Sequence, residues 1–196
     1  MGDKRIKSIV YGLVLGDGYL TPETKRNSLS SLRLKYDDKY FAYVEWLHKE
    51  LTPLGVSPIK SHAGYHQHRF DTRSSSLLGE SRRIFYPAGK KLVPKTIKKL
   101  ISDPISVAVW YMDDGNLDFR SKYHCNASFA TYCFSYDDCN VLGSALLENF
   151  GIYTSVHKTT MRGKKYYRLY IKSQSTKNFM SLVKPYMLSC FSHKLT

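Results

Sequence analysis

Apolar residues run almost without interruption through two stretches of the chain, and each run stops at an Asp-Gly pair. The first stretch is residues 10–18 (VYGLVLGDG) and the second is residues 107–115 (VAVWYMDDG). Each has the length of a buried helix of about 11 residues, and a glycine after the last turn is the usual helix stop. The pattern predicts two equivalent helices that end at Asp17 and Asp114.

The rest of the chain repeats at a similar spacing. Four pairs of segments match: YDD at 36–38 and 136–138, LGV at 54–56 and FGI at 150–152, RFDTRS at 69–74 and RLYIKS at 168–173, and KL at 91–92 and 194–195. Spacings that stay close to one value indicate one supersecondary unit used twice. We therefore predict two halves, residues 1–96 and 97–196.

Each unit shows the same order of elements. After the motif helix come a polar hairpin, an amphipathic helix, a second hairpin and a closing helix. The amphipathic helices are expected at 38–51 and 137–150, where apolar residues recur at helical spacing. The second hairpins are expected at 59–72 and 153–172, where side chains alternate in type. This predicts an α+β fold of two pseudo-symmetric α-β-β-α-β-β-α halves, each with a curved antiparallel sheet.

The chain is strongly basic, with 30 Lys and Arg against 16 Asp and Glu and a formal net charge of +14. A polyanion such as nucleic acid is the expected partner. A sheet with one face on helices and a cationic face in solvent can enter a major groove and read base edges. The candidate DNA-binding residues are Arg33, Lys35, Gln67, Arg69, Arg73, Lys164, Tyr166, Arg168 and Lys172. An ordinary solvated face would also alternate, but it does not account for the cationic bias.

The two aspartates suggest a metal site. Gly12 and Gly16 are small enough to let the two motif helices pack closely, and this packing would bring Asp17 and Asp114 together. Two neighbouring carboxylates repel each other unless a cation lies between them. Mg²⁺ suits carboxylate, water and phosphate ligands, and it can promote hydrolysis of a phosphodiester. Single Asp-Gly turns are common, so the inference depends on finding two at matched positions.

One lysine follows the last helix of each half at a matched position. These are Lys91, in the segment GKKLVP at 89–94, and Lys194, in SHKL at 192–195. Each could stabilise developing phosphate charge or orient the attacking water. Each alone could equally be a surface lysine, and only their equivalence favours a catalytic role.

The motifs resemble those of the LAGLIDADG homing endonucleases, in particular the single-chain, two-motif, intron-encoded subclass. The similarity lies in LGDGY at 15–19, WYMDDG at 110–115 and the two lysine segments, and it covers nearly the whole chain. It implies that Asp17 and Asp114 bind catalytic Mg²⁺, with Mn²⁺ able to substitute, and that Lys91 and Lys194 are the basic residues of the active site. It also implies a saddle of two sheets on a long, nearly asymmetric DNA site, cut to leave 3′ overhangs.

Two positions depart from the symmetry of the motifs. Val109 stands where the first motif has Gly12, so asymmetric helix packing is expected. Gly16 and Asp113, the residues just before the aspartates, are included among the candidate metal-site residues. On a helix, however, the Asp113 side chain points about 100° away from that of Asp114.

Three functions stay open: a site-specific DNA endonuclease, an intron RNA maturase on the same fold, and a DNA-binding protein that has lost catalysis. A lapsed enzyme is expected to lose an aspartate or a lysine, and all four are present. We expect a monomer, because one chain supplies both halves, and no membrane association, because no apolar stretch reaches spanning length. An organelle (chloroplast or mitochondrion) or the bacterial cytoplasm is the expected location.

Overall fold

The computed structural model describes residues 2–23, 28–120, 124–161 and 163–195. The first half contains α1 (Gly2–Leu15), β1 (Tyr19–Leu20), β2 (Leu32–Asp37), α2 (Phe41–Glu50), β3 (Lys60–His62), β4 (Gln67–Asp71) and α3 (Ser76–Phe85). A short α4 (Ile97–Leu100) follows. The second half contains α5 (Pro104–Asp114), β5 (Gly115–Arg120), β6 (His124–Phe129), α6 (Tyr136–Phe150), β7 (Thr154–Met161), β8 (Lys164–Ile171) and α7 (Ser173–Val183). The predicted order of elements is confirmed in both halves.

Two four-stranded antiparallel sheets repeat the same topology. Their strand orders are β1-β2-β4-β3 and β5-β6-β8-β7. Alternate residues of β2 are buried, so that Leu32, Leu34 and Tyr36 face the core while Arg33 and Lys35 face solvent. One face of each sheet therefore packs on helices and the other is left open, as the alternation predicts.

The two motif helices, α1 and α5, pack side by side at the centre of the molecule. Glycines on α1 allow this approach: a Cβ at Gly12 would lie 2.9 Å from the Val109 Cβ, and one at Gly16 would lie 2.5 Å from the Asp113 Cβ. A small residue on one helix thus faces a larger one on the other at both contacts. The asymmetric packing expected from Val109 is confirmed.

The motif helices end differently, and this corrects one prediction. α5 runs to Asp114 as expected, but α1 stops at Leu15, so Asp17 lies in the turn that follows. The Gly18 N–H donates to the Leu13 carbonyl at 2.7 Å, which closes a wide turn around Asp17. A Cβ at Gly18 would lie 2.8 Å from that carbonyl oxygen, so the turn requires glycine.

Other boundaries shift by a few residues. The helix predicted from residue 38 begins with a 3₁₀ turn, Asp38–Tyr40, and its N-cap is Asp37, whose side chain accepts from the Lys39 N–H. In the second half the predicted helix starts one residue early, behind a capping box formed by Ser135 and Asp138. The boundary at residue 96 stays a prediction, although α4 packs against α6 of the second half.

Candidate active site

The four residues predicted to be catalytic come together at the ends of the two motif helices. Asp17 is exposed in the turn after α1, and Asp114 is the partly buried last residue of α5. The charges of Lys91 and Lys194 both lower the pKa of each aspartate. One cluster therefore contains a carboxylate and a lysine from each half.

The aspartates differ in their electrostatics. Restricted hydration raises the pKa of Asp17, against the opposing effect of the lysines. The same loss of hydration, together with the negative charge of Asp17, raises the pKa of Asp114 to about 7. The two carboxylates thus repel each other in the protein alone, which is the arrangement expected to favour a bound cation.

The lysines bind the carbonyl ends of the motif helices. Lys91 Nζ donates to the carbonyl oxygens of Leu15 at 3.1 Å and Gly16 at 2.8 Å. Lys194 Nζ donates to Met112 O at 2.7 Å, with Tyr111 O and Asp113 O both at 3.4 Å. A cation at a helix C-terminus satisfies free carbonyls and offsets the negative end of the dipole.

Burial distinguishes the two lysines. Lys194 is only 7% exposed, and this burial lowers its pKa. Its ammonium has three donors, and three carbonyl oxygens accept from it. Lys91 is partly exposed, and two carbonyls accept from it, so it retains one donor that can reach a ligand.

Asp113 and Gly16 do not serve the predicted metal site with their side chains. The Asp113 carboxylate accepts from the Asp17 backbone N–H at 3.0 Å and from the hydroxyls of Tyr36 and Tyr43. Loss of hydration and the charge of Asp17 raise the pKa of Asp113 well above its usual range. Gly16 contributes the space that this carboxylate fills and a carbonyl that accepts from Lys91.

The donor set suits a hard divalent cation such as Mg²⁺ that keeps part of its water shell. Within residues 2–23, 28–120, 124–161 and 163–195, no three His, Cys, Asp or Glu side chains group together to hold an ion. Mg²⁺ keeps several waters and is commonly bound by one or two carboxylates plus substrate phosphate oxygens. Asp17 and Asp114 supply such a pair of carboxylates.

The open face of the first sheet leads directly to Asp17. A hollow of about 650 Å³ is lined by Asp17, Tyr19, Arg33, Leu34, Lys35, Arg69 and Asp71. Lys35 pairs with Arg69 across β2 and β4, and Asp37 pairs with Gln67. The predicted binding residues of the first half therefore share one face beside the carboxylate, except for Arg73.

The open face of the second sheet is richer in aromatic side chains. Arg168 lies with its guanidinium carbon 5.8 Å from the centre of the Tyr132 ring and 5.9 Å from that of Tyr170. Tyr166 packs edge-on against Tyr132. Lys164 lies two residues before Tyr166 on β8 and is exposed.

Arg73 and Lys172 occupy matched positions just past the ends of β4 and β8. Arg73 packs along Gly55, and Lys172 lines a hollow that includes residues of α6. Both are therefore set apart from the open strand faces. Their predicted DNA contact would require flanking DNA to extend around the ends of the sheets.

The sequence analysis missed Tyr36 and Tyr43. Tyr36 stands in the repeated YDD segment, which was interpreted only as the start of a helix. Its hydroxyl lies 3.2 Å from Asp113 Oδ1, and that of Tyr43 lies 3.0 Å from the same atom. The available signal was that Tyr36 occupies a core-facing position of its strand, where a buried hydroxyl needs a hydrogen-bond partner.

Comparison with known proteins agrees with this geometry. The model of the LAGLIDADG DNA endonuclease family matches residues 7–179. A cytochrome b mRNA maturase bI2 of Debaryomyces hansenii is 25% identical over 204 residues, which cover 98% of this chain and 74% of that protein.

Two solved structures share the fold. The homing endonuclease I-WcaI bound to its DNA recognition sequence has a TM-score of 0.82 at 24% identity, with 98% of this chain and 86% of that chain covered. I-DmoI in complex with DNA and Mn has a TM-score of 0.57 at 14% identity, with 94% and 99% covered. At these identities the likeness establishes the fold of two pseudo-symmetric halves.

Proposed function

Because the chain belongs to the LAGLIDADG DNA endonuclease family, we propose that it cuts double-stranded DNA at one long, nearly asymmetric site. The observation that carries this proposal is the meeting of Asp17 and Asp114 between two open, basic sheet faces. A binding protein gains nothing from two carboxylates that repel each other at its centre. A metal-dependent phosphodiesterase needs them.

The four residues of the cluster would have different roles in cleavage. A bound Mg²⁺ would activate water and neutralise charge on the scissile phosphate, and Mn²⁺ is expected to substitute. Asp17 and Asp114 would bind the metal from opposite halves, each beside the phosphate of one DNA strand. The free donor of Lys91 can meet a phosphate oxygen or the attacking water, whereas Lys194 would act mainly through its charge.

The two sheets would follow the DNA on either side of the aspartates as a saddle. Arg33, Lys35 and Arg69 would contact one half-site, and Arg168 and Tyr166 the other. Because the two faces differ, the two half-sites are expected to differ in sequence. With both halves in one chain, the protein is expected to act as a monomer, cutting across the minor groove to leave 3′ overhangs.

A second candidate function is supported by one relative. The Debaryomyces hansenii protein is described as a maturase of cytochrome b mRNA, so intron RNA is a second possible partner. The same relative supports an organelle as the setting, while the bacterial cytoplasm stays a prediction. No helix in the described ranges is long and apolar enough to cross a bilayer.

The decisive test is cleavage of a randomised double-stranded DNA library. With Mg²⁺ we expect products that share one long site and carry 3′ overhangs, and with Ca²⁺ we expect binding without cutting. Binding of intron RNA without any DNA cleavage would favour the maturase instead.

Asp17→Asn and Asp114→Asn test the aspartates directly. Each should lower cleavage by at least about a thousandfold, because the metal contributes several kcal/mol and about 1.4 kcal/mol is tenfold in rate. Binding measured in Ca²⁺ should persist. Asp3→Asn, on the first turn of α1 and so at the end of that helix away from Asp17, should cut normally. Full cleavage by either active-site variant would refute the metal site.

A further inference from the structure

One carboxylate at the active centre points away from the reaction. Asp113 belongs to the second half, but its side chain is held by the first. Its Oδ1 accepts from Tyr43 Oη at 3.0 Å and from Tyr36 Oη at 3.2 Å, and its Oδ2 accepts from the Asp17 backbone N–H at 3.0 Å. Both tyrosines are buried, and their rings meet edge to face at 5.1 Å.

This contact fixes the backbone of the first aspartate. Asp17 lies in a turn beyond the end of α1, where its N–H donates to Asp113 Oδ2. This hydrogen bond to the Asp113 carboxylate takes the place of a backbone hydrogen bond within the helix. It therefore determines the direction in which the Asp17 side chain leaves the backbone.

The contact is one-sided. At the matched position of the first motif stands Gly16, which has no side chain to hold Asp114 in return. A Cβ at Gly16 would lie 2.5 Å from Asp113 Oδ2, so the glycine makes the space that this carboxylate needs. Asp114 instead remains within the regular end of α5.

We propose that Asp113, held by Tyr36 and Tyr43, is a positioning residue. From the second half of the chain it fixes the position of Asp17, the catalytic carboxylate of the first half. This deepens the proposed endonuclease function and rests on it. Because the halves are related by a pseudo-two-fold, each carboxylate serves mainly one DNA strand. Loss of these contacts should therefore impair the two strands unequally.

The variants are chosen to remove single contacts. Tyr43→Phe deletes one hydroxyl and keeps the ring, and Asp113→Asn keeps the shape but replaces one acceptor with an amide. Tyr11→Phe is the matched control, because it deletes a half-buried hydroxyl on the first motif helix away from Asp113. Wild type and variants are assayed on a plasmid that carries the target site, with each strand end-labelled.

We expect Asp113→Asn to accumulate nicked plasmid. Cleavage of one strand should fall by about 10- to 100-fold, the cost of a misplaced catalytic group, while the other strand changes by no more than about threefold. Binding in Ca²⁺ should be unchanged. Tyr43→Phe should show the same strand bias more weakly, and Tyr11→Phe should show none. Equal slowing of both strands would overturn the proposal.

A second measurement does not depend on cleavage. Hydrogen exchange of the Asp17 amide should quicken by about tenfold in Asp113→Ala, which removes both acceptor oxygens, because one hydrogen bond is usually worth about this much; the amide of Asp114 should keep its protection. An unchanged Asp17 amide would overturn the proposal even in an active enzyme. If wild type cuts no DNA but the amide responds as expected, the endonuclease function fails and the positioning role of Asp113 stands.

Discussion

The two halves of this protein share a topology but not a chemistry. Each has the same strand order, a motif helix, an aspartate and a lysine. In the first half, Asp17 is exposed in a turn and Lys91 bonds two carbonyls. In the second, Asp114 completes a helix and Lys194 is buried against three carbonyls. A repeat within one chain can diverge in this way, whereas two identical subunits cannot.

The open sheet faces differ as well. Charged side chains line the first, where Arg33 lies opposite Asp71 and Lys35 lies opposite Arg69 in the strand register. Tyrosine rings around Arg168 dominate the second. A nearly asymmetric target requires such a difference, because identical faces would select a palindrome. Substitutions at matched positions of the two halves test whether these differences matter.

After the aspartates themselves, the largest effect should come from the lysines. We expect Lys91→Met and Lys194→Met each to slow cleavage by about 100-fold or more, because each removes a charge beside the reacting phosphate. Only Lys194→Met should also lower the free energy of unfolding, by about 1–3 kcal/mol, because it leaves buried carbonyl oxygens without a hydrogen-bond donor. Urea denaturation and single-turnover cleavage would measure both quantities.

Lys90→Met, at the exposed neighbour of Lys91, should leave rate and stability unchanged. An equal loss of stability in the two active-site variants would mean that burial does not distinguish the lysines after all.

A smaller effect is expected from pH. The folded pKa of Asp114 is about 7, above its unfolded value of about 4, so the folded state binds more protons between these values. The free energy of unfolding of metal-free protein should therefore fall as pH rises from about 4 to 7, on the order of 2 kcal/mol. Urea denaturation at pH 5 and pH 8 would measure it.

Asp114→Asn should reduce this dependence and leave the contributions of Asp17 and Asp113, whose pKa values are also raised. Mg²⁺ at pH 8 should restore stability to wild type but not to the variant. A variant with the full wild-type slope would assign the effect to other groups.

The secondary-structure elements and the four matched active-site residues could be predicted from the sequence, because the patterns that indicate them are local. Helical spacing and strand alternation are local, so the elements and the matched Asp17, Asp114, Lys91 and Lys194 were predictable. The contacts of Asp113 are made with residues 70 to 96 positions earlier in the chain, and no local pattern encodes them. The early end of α1 likewise depends on Gly18 bonding back to Leu13.

The smallest expected effect is a difference in base discrimination between variants of Arg168 and Arg69. Arg168 is flanked by two tyrosine rings, which restrict the orientation of its guanidinium group on the open face. Arg168→Lys keeps the charge but loses the planar fork. It should weaken discrimination at one base pair by about 1 kcal/mol, at the lower end for a bidentate contact. Arg69→Lys, at an exposed position, should change discrimination less. Competition binding in Ca²⁺ against single-base target variants would measure both, and equal losses would show that the aromatic face confers no added selectivity.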